Sequence, residues 1–422
     1  MYKKVIYNTA FQVFGKTFTA TTTLIITLLI GKTLGPAGYG EFTKIFVFIG
    51  YFYTLVDFGL NSIYVKTATA KSELNLLKVL VGLRIILALF LLLAVYIVTQ
   101  ALPFDPIKQT GFSPLVKMGI IIGSLTIFTQ ALFTTANAYF QRNLRYDLST
   151  IAAIAGYLVI LISTLYVTWV NGGLLGYVFS YVLGGIVLVS FAYYFISKRS
   201  HQFVLPQVEK SSALHFFSNS WPIGLALVFN LIYFRIDVLI LSNYRQNSEV
   251  GIYGLAYQFF EAALSLPIFL VNAIYPLLNK VYLRSNLSKF NEHVKRWLLI
   301  FLLVSIALAI FLYLISFMIP IIYDARFLGS KKALAILATG MPFFFISALL
   351  WHLLIIFGKQ KYLSGIYFAG AVFNIIANLI FIPRFGYIAA AIVTVFSEAL
   401  ILLMLTLAVV LTKRELKIVE SQ

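Results

Sequence analysis

Apolar runs of about eighteen to twenty-five positions alternate with short polar breaks along nearly the whole chain, as in "LLIFLLVSIALAIFLYLISFMI" (298–319). A helix rises 1.5 Å per residue, so about twenty such residues cross the roughly 30 Å hydrocarbon core of a bilayer. Strands of a membrane barrel would instead alternate apolar and polar residues over about ten positions. The pattern therefore predicts an all-α integral membrane protein with twelve spans. In the first half these are about 12–32, 42–64, 78–99, 116–138, 149–169 and 174–196. The second half has about 217–242, 251–279, 297–319, 332–357, 362–382 and 387–411. The longest connection, "SKRSHQFVLPQVEKSSALH" (197–215), separates the two sets of six. The expected organisation is a bundle at 1–197, a cytoplasmic linker at 198–216 and a second bundle at 217–422.

The halves echo each other. "LGPAGYGEFTK" (34–44) follows the first span and "EVGIYGLAYQF" (249–259) follows the seventh, which lays Tyr39-Gly40 over Tyr253-Gly254. The same offset of 213 or 214 lays spans three, four and five on spans nine, ten and eleven. It also pairs "GGLLGYVFSYVL" with "FGYIAAAIVTVF" at the starts of spans six and twelve. Six is even, so duplicated halves keep one orientation and are related by a pseudo-twofold axis along the membrane normal, a transporter arrangement.

Composition agrees: 61% of the 422 residues are hydrophobic and 11% charged, against about 45–50% and about 25% in soluble domains. A net charge of +18 first suggests nucleic acid, but topology accounts for it. With the N-terminus inside, 21 Lys and Arg fall on the cytoplasmic side, nine outside, and two (Lys16 and Arg235) within spans. That is the positive-inside bias, and it places both termini in the cytoplasm of a cell-membrane protein with no nucleic-acid partner. Absence of cysteine excludes disulfides, thiolate metal sites and a cysteine nucleophile. No small-x-small cleavage site follows a short apolar run, so the first span reads as uncleaved.

The stretch "LLIGKTLGPAGYGEFTKIFVFIGYFYTLVDFGLNSIYVK" (28–66) resembles the opening of the polysaccharide transport proteins, the Wzx-type flippases of the superfamily that includes MurJ and the MATE antiporters. The similar features are an LGP-x-x-YG turn after span one and a DFG-x-N stretch at Asp57, Phe58, Gly59 and Asn61. "YFRIDVLILSNY…EVGIYGLAYQFFE" (233–261) and a basic loop after span eight match as well. The resemblance implies a V-shaped MATE/MurJ-like transporter moving a polyprenyl-diphosphate-linked oligosaccharide to the outer leaflet by alternating access. Surface polysaccharide such as O-antigen would be the product, with membrane lipids and other polysaccharide-assembly membrane proteins as partners. It implies no cofactor and no catalysis.

Charges inside hydrocarbon cost at least about 2.5–3.5 kcal/mol each at a helix centre, so ionisable residues within spans are the candidates. Arg235 lies about seven residues from the outer end of span seven, roughly 10 Å deep. Its planar fork suits a diphosphate; the alternative is an interhelical ion pair with Glu261 or Asp57. Lys16, about one turn from the cytoplasmic end of span one, either lines a cavity mouth or snorkels to the headgroups. Arg84 has the same alternatives, with the headgroups favoured. Asp237 lies two residues from Arg235, on another helix face. Asp57, Asp237, Glu261 and Glu398 are the acids suited to ion coupling, to cavity ion pairs or to hydrogen-bonded packing. Asp57 has a third alternative, capping or pairing with the basic loop after span two. His352 reads as a packing residue, and no metal site is expected. A MATE-like cation-coupled exporter of small amphiphiles is the competing function. A polymerase or glycosyltransferase is disfavoured, because the longest outer loop (100–115) holds one acid, Asp105.

Overall fold

The computed structural model describes residues 2–69, 72–284 and 287–420. Helices account for almost all of it: α1 (Tyr2–Asp57), α2 (Leu60–Thr67), α3 (Glu73–Ala101), α4 (Pro114–Arg142), α5 (Tyr146–Trp169) and α6 (Gly173–Ser200) come first. They are followed by α7 (Lys210–Tyr244), α8 (Asn247–Arg284), α9 (Leu287–Ile322), α10 (Leu328–Thr339), α11 (Met341–Ile356) and α12 (Lys361–Glu420). The loop between α3 and α4 holds a feature that hydropathy missed, a two-stranded antiparallel hairpin pairing β1 (Phe104–Asp105) with β2 (Thr110–Gly111).

Among the described residues, ten helical stretches are long and apolar enough to cross a membrane, where the sequence predicts twelve separate spans. The difference lies in α1 and α12, each of which fuses two predicted spans across a single left-handed glycine. Gly35 (φ 64°) breaks α1 and Gly386 (φ 60°) breaks α12; an L side chain would be strained at such φ. The turn "LGPAGYGEFTK" is therefore mostly helix, interrupted only before Pro36. At Gly386 the chain doubles back on itself. Asn374 donates to Ser397 Oγ at 3.1 Å, and a Cβ on Gly370 would meet Ile401 Cδ1 at 2.7 Å, so the two arms run antiparallel. In α1 the first arm packs on α5 through Phe11 and Gly15 against Thr150. The second packs on α4, with Ile45 against Gly119, Ile49 against Gly123 and Tyr53 bonded to Thr126. Both arms run parallel to their partners. Because α4 and α5 are themselves antiparallel neighbours, joined near their ends by a Ser149–Asn137 hydrogen bond, the arms of α1 are antiparallel too. Gly173, 213 positions before Gly386, is likewise left-handed (φ 68°), so the sequence echo is also a conformational one.

Two compact units divide at 231/232, inside α7. Packing is the reason. Phe216 joins the buried cluster of Leu60, Ile63, Leu77, Leu80 and Tyr139 in the first unit, and Gly224 lies flat against the Phe58 ring, where a Cβ would be 2.5 Å from ring carbon. Small residues let these helices approach closely where lipid supplies no hydrophobic drive. In the second unit α9 is peripheral: its most apolar stretch has mean hydropathy 3.1 but is only 17% buried, and Leu303, Ile310, Phe311 and Leu314 stand exposed for lipid.

The linker itself is strapped down. Gln207 N–H donates to the Lys78 carbonyl at 3.0 Å, Lys78 Nζ donates to Gln202 Oε1 at 3.4 Å, and the strap passes directly over Gly82. It ends at Glu209, whose carboxyl is held below the usual range by hydrogen bonds from Ser211 and Ser212 at the start of α7. A Cβ at Gly82 would lie 2.1 Å from the Gln207 carbonyl oxygen. Alanine favours a helix interior over glycine by about 0.8–1.0 kcal/mol, yet Gly82→Ala is expected to destabilise, because backbone must move. Faster proteolytic nicking within 202–208 checks this; unchanged nicking contradicts it.

Candidate functional site

The second unit concentrates buried polarity on one stretch of α7, and helical spacing sorts it onto two faces. Tyr233 and Asp237, four residues apart, share one face. Tyr233 Oη donates to Glu398 Oε2 at 2.6 Å, and Thr394 Oγ1 on α12 donates to Asp237 Oδ2 at 3.3 Å. Residues 233 and 237 thus pair with 398 and 394 as an antiparallel ladder between α7 and the second arm of α12. Asp237 also accepts from Tyr253 Oη on α8 and from the Val238 N–H at 2.7 Å. It is 2% exposed, as is Glu398. A carboxylate so enclosed persists because each oxygen is satisfied.

Arg235 points the other way, toward α8. Its guanidinium lies 4.7 Å from the centre of the Tyr257 ring and pairs with Glu261, while Tyr257 Oη donates to the Phe234 carbonyl at 2.7 Å. Tyr253, Tyr257 and Glu261 recur every four residues, so one face of α8 serves this whole seam. Of the two expected partners for Arg235, Glu261 is the one present. As expected, Asp237 does not pair with it. Exposure separates this pair from the others: the Arg235 side chain is 21% exposed and that of Glu261 52%. The carboxylate is the more exposed member of the pair.

In the first unit Arg84 overturns the expectation that it reaches the headgroups. Its side chain is 0% exposed, bonded through Nη2 to Asp57 Oδ1 and Asn61 Oδ1, both at 2.8 Å, and through Nη1 to Thr135 Oγ1 at 3.2 Å. The cause is local. Phe58 and Gly59 both take positive φ, which ends α1 at Asp57 and turns that carboxylate toward α3 rather than toward the basic segment after α2. Asn61 then arrives from the first turn of α2. Arg84 is closed off, whereas Arg235 is open at one edge. Lys16 lies exposed on α1. His352 engages the Ala348 carbonyl at 2.8 Å and stacks edge-on with Tyr275.

Sequence reasoning missed the tyrosines and threonines that complete these clusters. Tyr253 and Tyr257 had a signal in the repeated turn and the four-residue spacing; Thr135 and Thr394 had none. It also counted Lys44 as an outer-loop cation. Lys44 is wholly buried and donates to the Gly111 carbonyl at 2.6 Å, with its ammonium 5.8 Å from the centre of the Phe112 ring, so it ties the 104–111 hairpin to α1.

Comparison with known proteins identifies the family and the fold. A family model described as "Polysaccharide biosynthesis protein" matches residues 3–282, and a MatE model matches 222–380. Among solved structures, the lipid II flippase MurJ in an inward closed conformation aligns with TM-score 0.74 at 17% identity, covering 96% of this chain and 87% of that one. An inward-facing multidrug resistance MATE transporter aligns with TM-score 0.75 at 12% identity, covering 96% of both. At such identities the likeness is one of fold. An uncharacterized membrane protein of Methanocaldococcus jannaschii is 25% identical over 226 residues, which is 51% of this chain and 44% of that protein. The chain thus spans about half the length of that curated relative.

Proposed function

Because the chain belongs to the polysaccharide biosynthesis protein family, we propose that it is a flippase. It moves polyprenyl-diphosphate-linked oligosaccharide from the cytoplasmic to the outer leaflet by alternating access, for surface polysaccharide such as O-antigen. In this reading twelve spans form two duplicated six-helix bundles in the cell membrane, joined at 198–216, with both termini cytoplasmic. The observation that carries it is Arg235: a guanidinium within a span, partly open, whose carboxylate partner stands on the exposed side.

A diphosphate is a bidentate acceptor of the kind an arginine fork binds, through charge-assisted hydrogen bonds about twice as strong as neutral ones. Glu261 holds the guanidinium in place until substrate arrives and takes it back on release, so the cation is never left unpaired in hydrocarbon. Tyr257 supports the guanidinium from its ring face. Lys16 gathers the anionic headgroup at the inner end of α1. Asp237 and Glu398 are the groups placed for ion coupling, since each is enclosed and hydrogen-bonded to hydroxyls that can reorient. Asp57 and Arg84 form the fixed counterpart in the first unit.

The test is reconstitution of purified protein in liposomes holding a fluorescent polyprenyl-diphosphate oligosaccharide, with a membrane-impermeant quencher outside. The expected result is that protein renders the inner-leaflet pool quenchable while empty vesicles do not. No movement of such a lipid, with efflux of a small cationic amphiphile instead, would favour the exporter reading, which the MatE match to 222–380 supports.

A further inference from the structure

The segment after the eighth predicted span was expected to be a basic loop; most of it is helix instead. Helix α8 continues to Arg284 and α9 begins at Leu287. At 1.5 Å per residue both outrun a roughly 30 Å hydrocarbon core, so their joined ends carry the chain through the interfacial layer. Between those ends lies a groove of about 530 Å³. Its lining is graded in chemistry: along α9 it runs from the basic His293 and Arg296 through Trp297 to Ile300, and α8 adds Leu277, Leu278, Lys280 and Val281. None of these three basic side chains has an acidic partner among the described residues.

The geometry points to a resident glycerophospholipid with an anionic headgroup, its phosphate held by Lys280 and Arg296 and its chains lying along Leu277 and Ile300. Complementarity identifies the occupant. Cations meet phosphate, apolar side chains meet acyl chains, and an indole at the boundary sits at the depth where tryptophan prefers the headgroups. A lipid in transit is disfavoured by the helix itself. Leu277 lies sixteen residues beyond Glu261, about 24 Å along α8, so the groove is well separated from the Arg235–Glu261 pair. The inference does not rest on the transport reading.

The experiment uses full-length protein in detergent, titrated with phosphatidylglycerol or phosphatidylcholine and read by native mass spectrometry. Wild type is expected to retain phosphatidylglycerol roughly tenfold or more better. Lys280→Ala/Arg296→Ala should lose that preference, whereas Lys295→Ala/Lys361→Ala, which removes as much charge elsewhere, should keep it. A second measurement needs no disruption of the groove's cations: bromine-labelled phosphatidylglycerol should quench tryptophan emission in wild type and do so less in Trp297→Phe. Equal loss in both double variants would mean general charge attraction and overturn the site, as would quenching indifferent to Trp297. Displacement of phosphatidylglycerol by stoichiometric polyprenyl diphosphate would make the occupant the transported lipid and overturn the resident assignment.

Discussion

Arg235→Ala is expected to lower transport of a polyprenyl-diphosphate oligosaccharide by about 10- to 100-fold while leaving the protein folded. The size follows from the loss of hydrogen bonds between charged groups, about 1.5–3 kcal/mol, at about 1.36 kcal/mol per tenfold. Folding is expected to survive because the charge left behind, that of Glu261, is on the more exposed side chain of the pair, 52% exposed, where it can be hydrated. Initial rates in the vesicle quenching assay check this. Arg235→Lys should fall between, since the charge stays and the planar fork is lost. Glu261→Gln separates the two roles available to Arg235. If Arg235 serves the substrate, removing its competitor leaves transport intact or improves binding. If Arg235 exists only to satisfy Glu261, the two single variants lose activity equally, and the double variant does no worse than either.

Arg84→Ala has the larger expected effect on the fold. The guanidinium is wholly enclosed and joins α1, α2, α3 and α4 through Asp57, Asn61, Thr135 and the Ala131 carbonyl. Removing one member of a fully buried pair typically costs about 3–5 kcal/mol; Asp57, the charge left behind, is 31% exposed, so a loss toward the lower end, about 3 kcal/mol, is expected. We expect a lower apparent melting midpoint and less monodisperse protein in detergent. Arg84→Met/Asp57→Asn should recover part of that loss, since it removes both charges together. A midpoint for Arg84→Ala equal to that of wild type would mean that the cluster contributes no stability. The contrast is the point of the pair: one arginine is tied to transport with little effect on stability, the other to stability first.

Hydropathy made the membrane character and the number of apolar runs legible, because lipid demands long unbroken apolar helices whatever their neighbours are. The offset of 213 paired the stretches around Gly173 and Gly386 as starts of spans six and twelve, and only the fold showed that both glycines take positive φ. Nor could the offset show that α1 and α12 are each continuous helices bent at one residue. Pattern sees where apolar runs pause and cannot see how sharply the backbone turns there.

The chemistry divides the same way. Sequence alone singled out Arg235, Arg84, Asp57, Asp237, Glu261 and Glu398, because a charge within an apolar run is costly and therefore rare. Which charge meets which was decided by tertiary structure. Arg84 reads as a residue near a helix end until Phe58 and Gly59 turn Asp57 onto it, and Glu398 reads as isolated until α12 lays it beside Tyr233. Lys44 reads as an outer-loop cation until the 104–111 hairpin folds its carbonyl over it. One-dimensional pattern fixes a residue's depth; only packing fixes its partner, because partners here lie up to 165 positions apart along the chain.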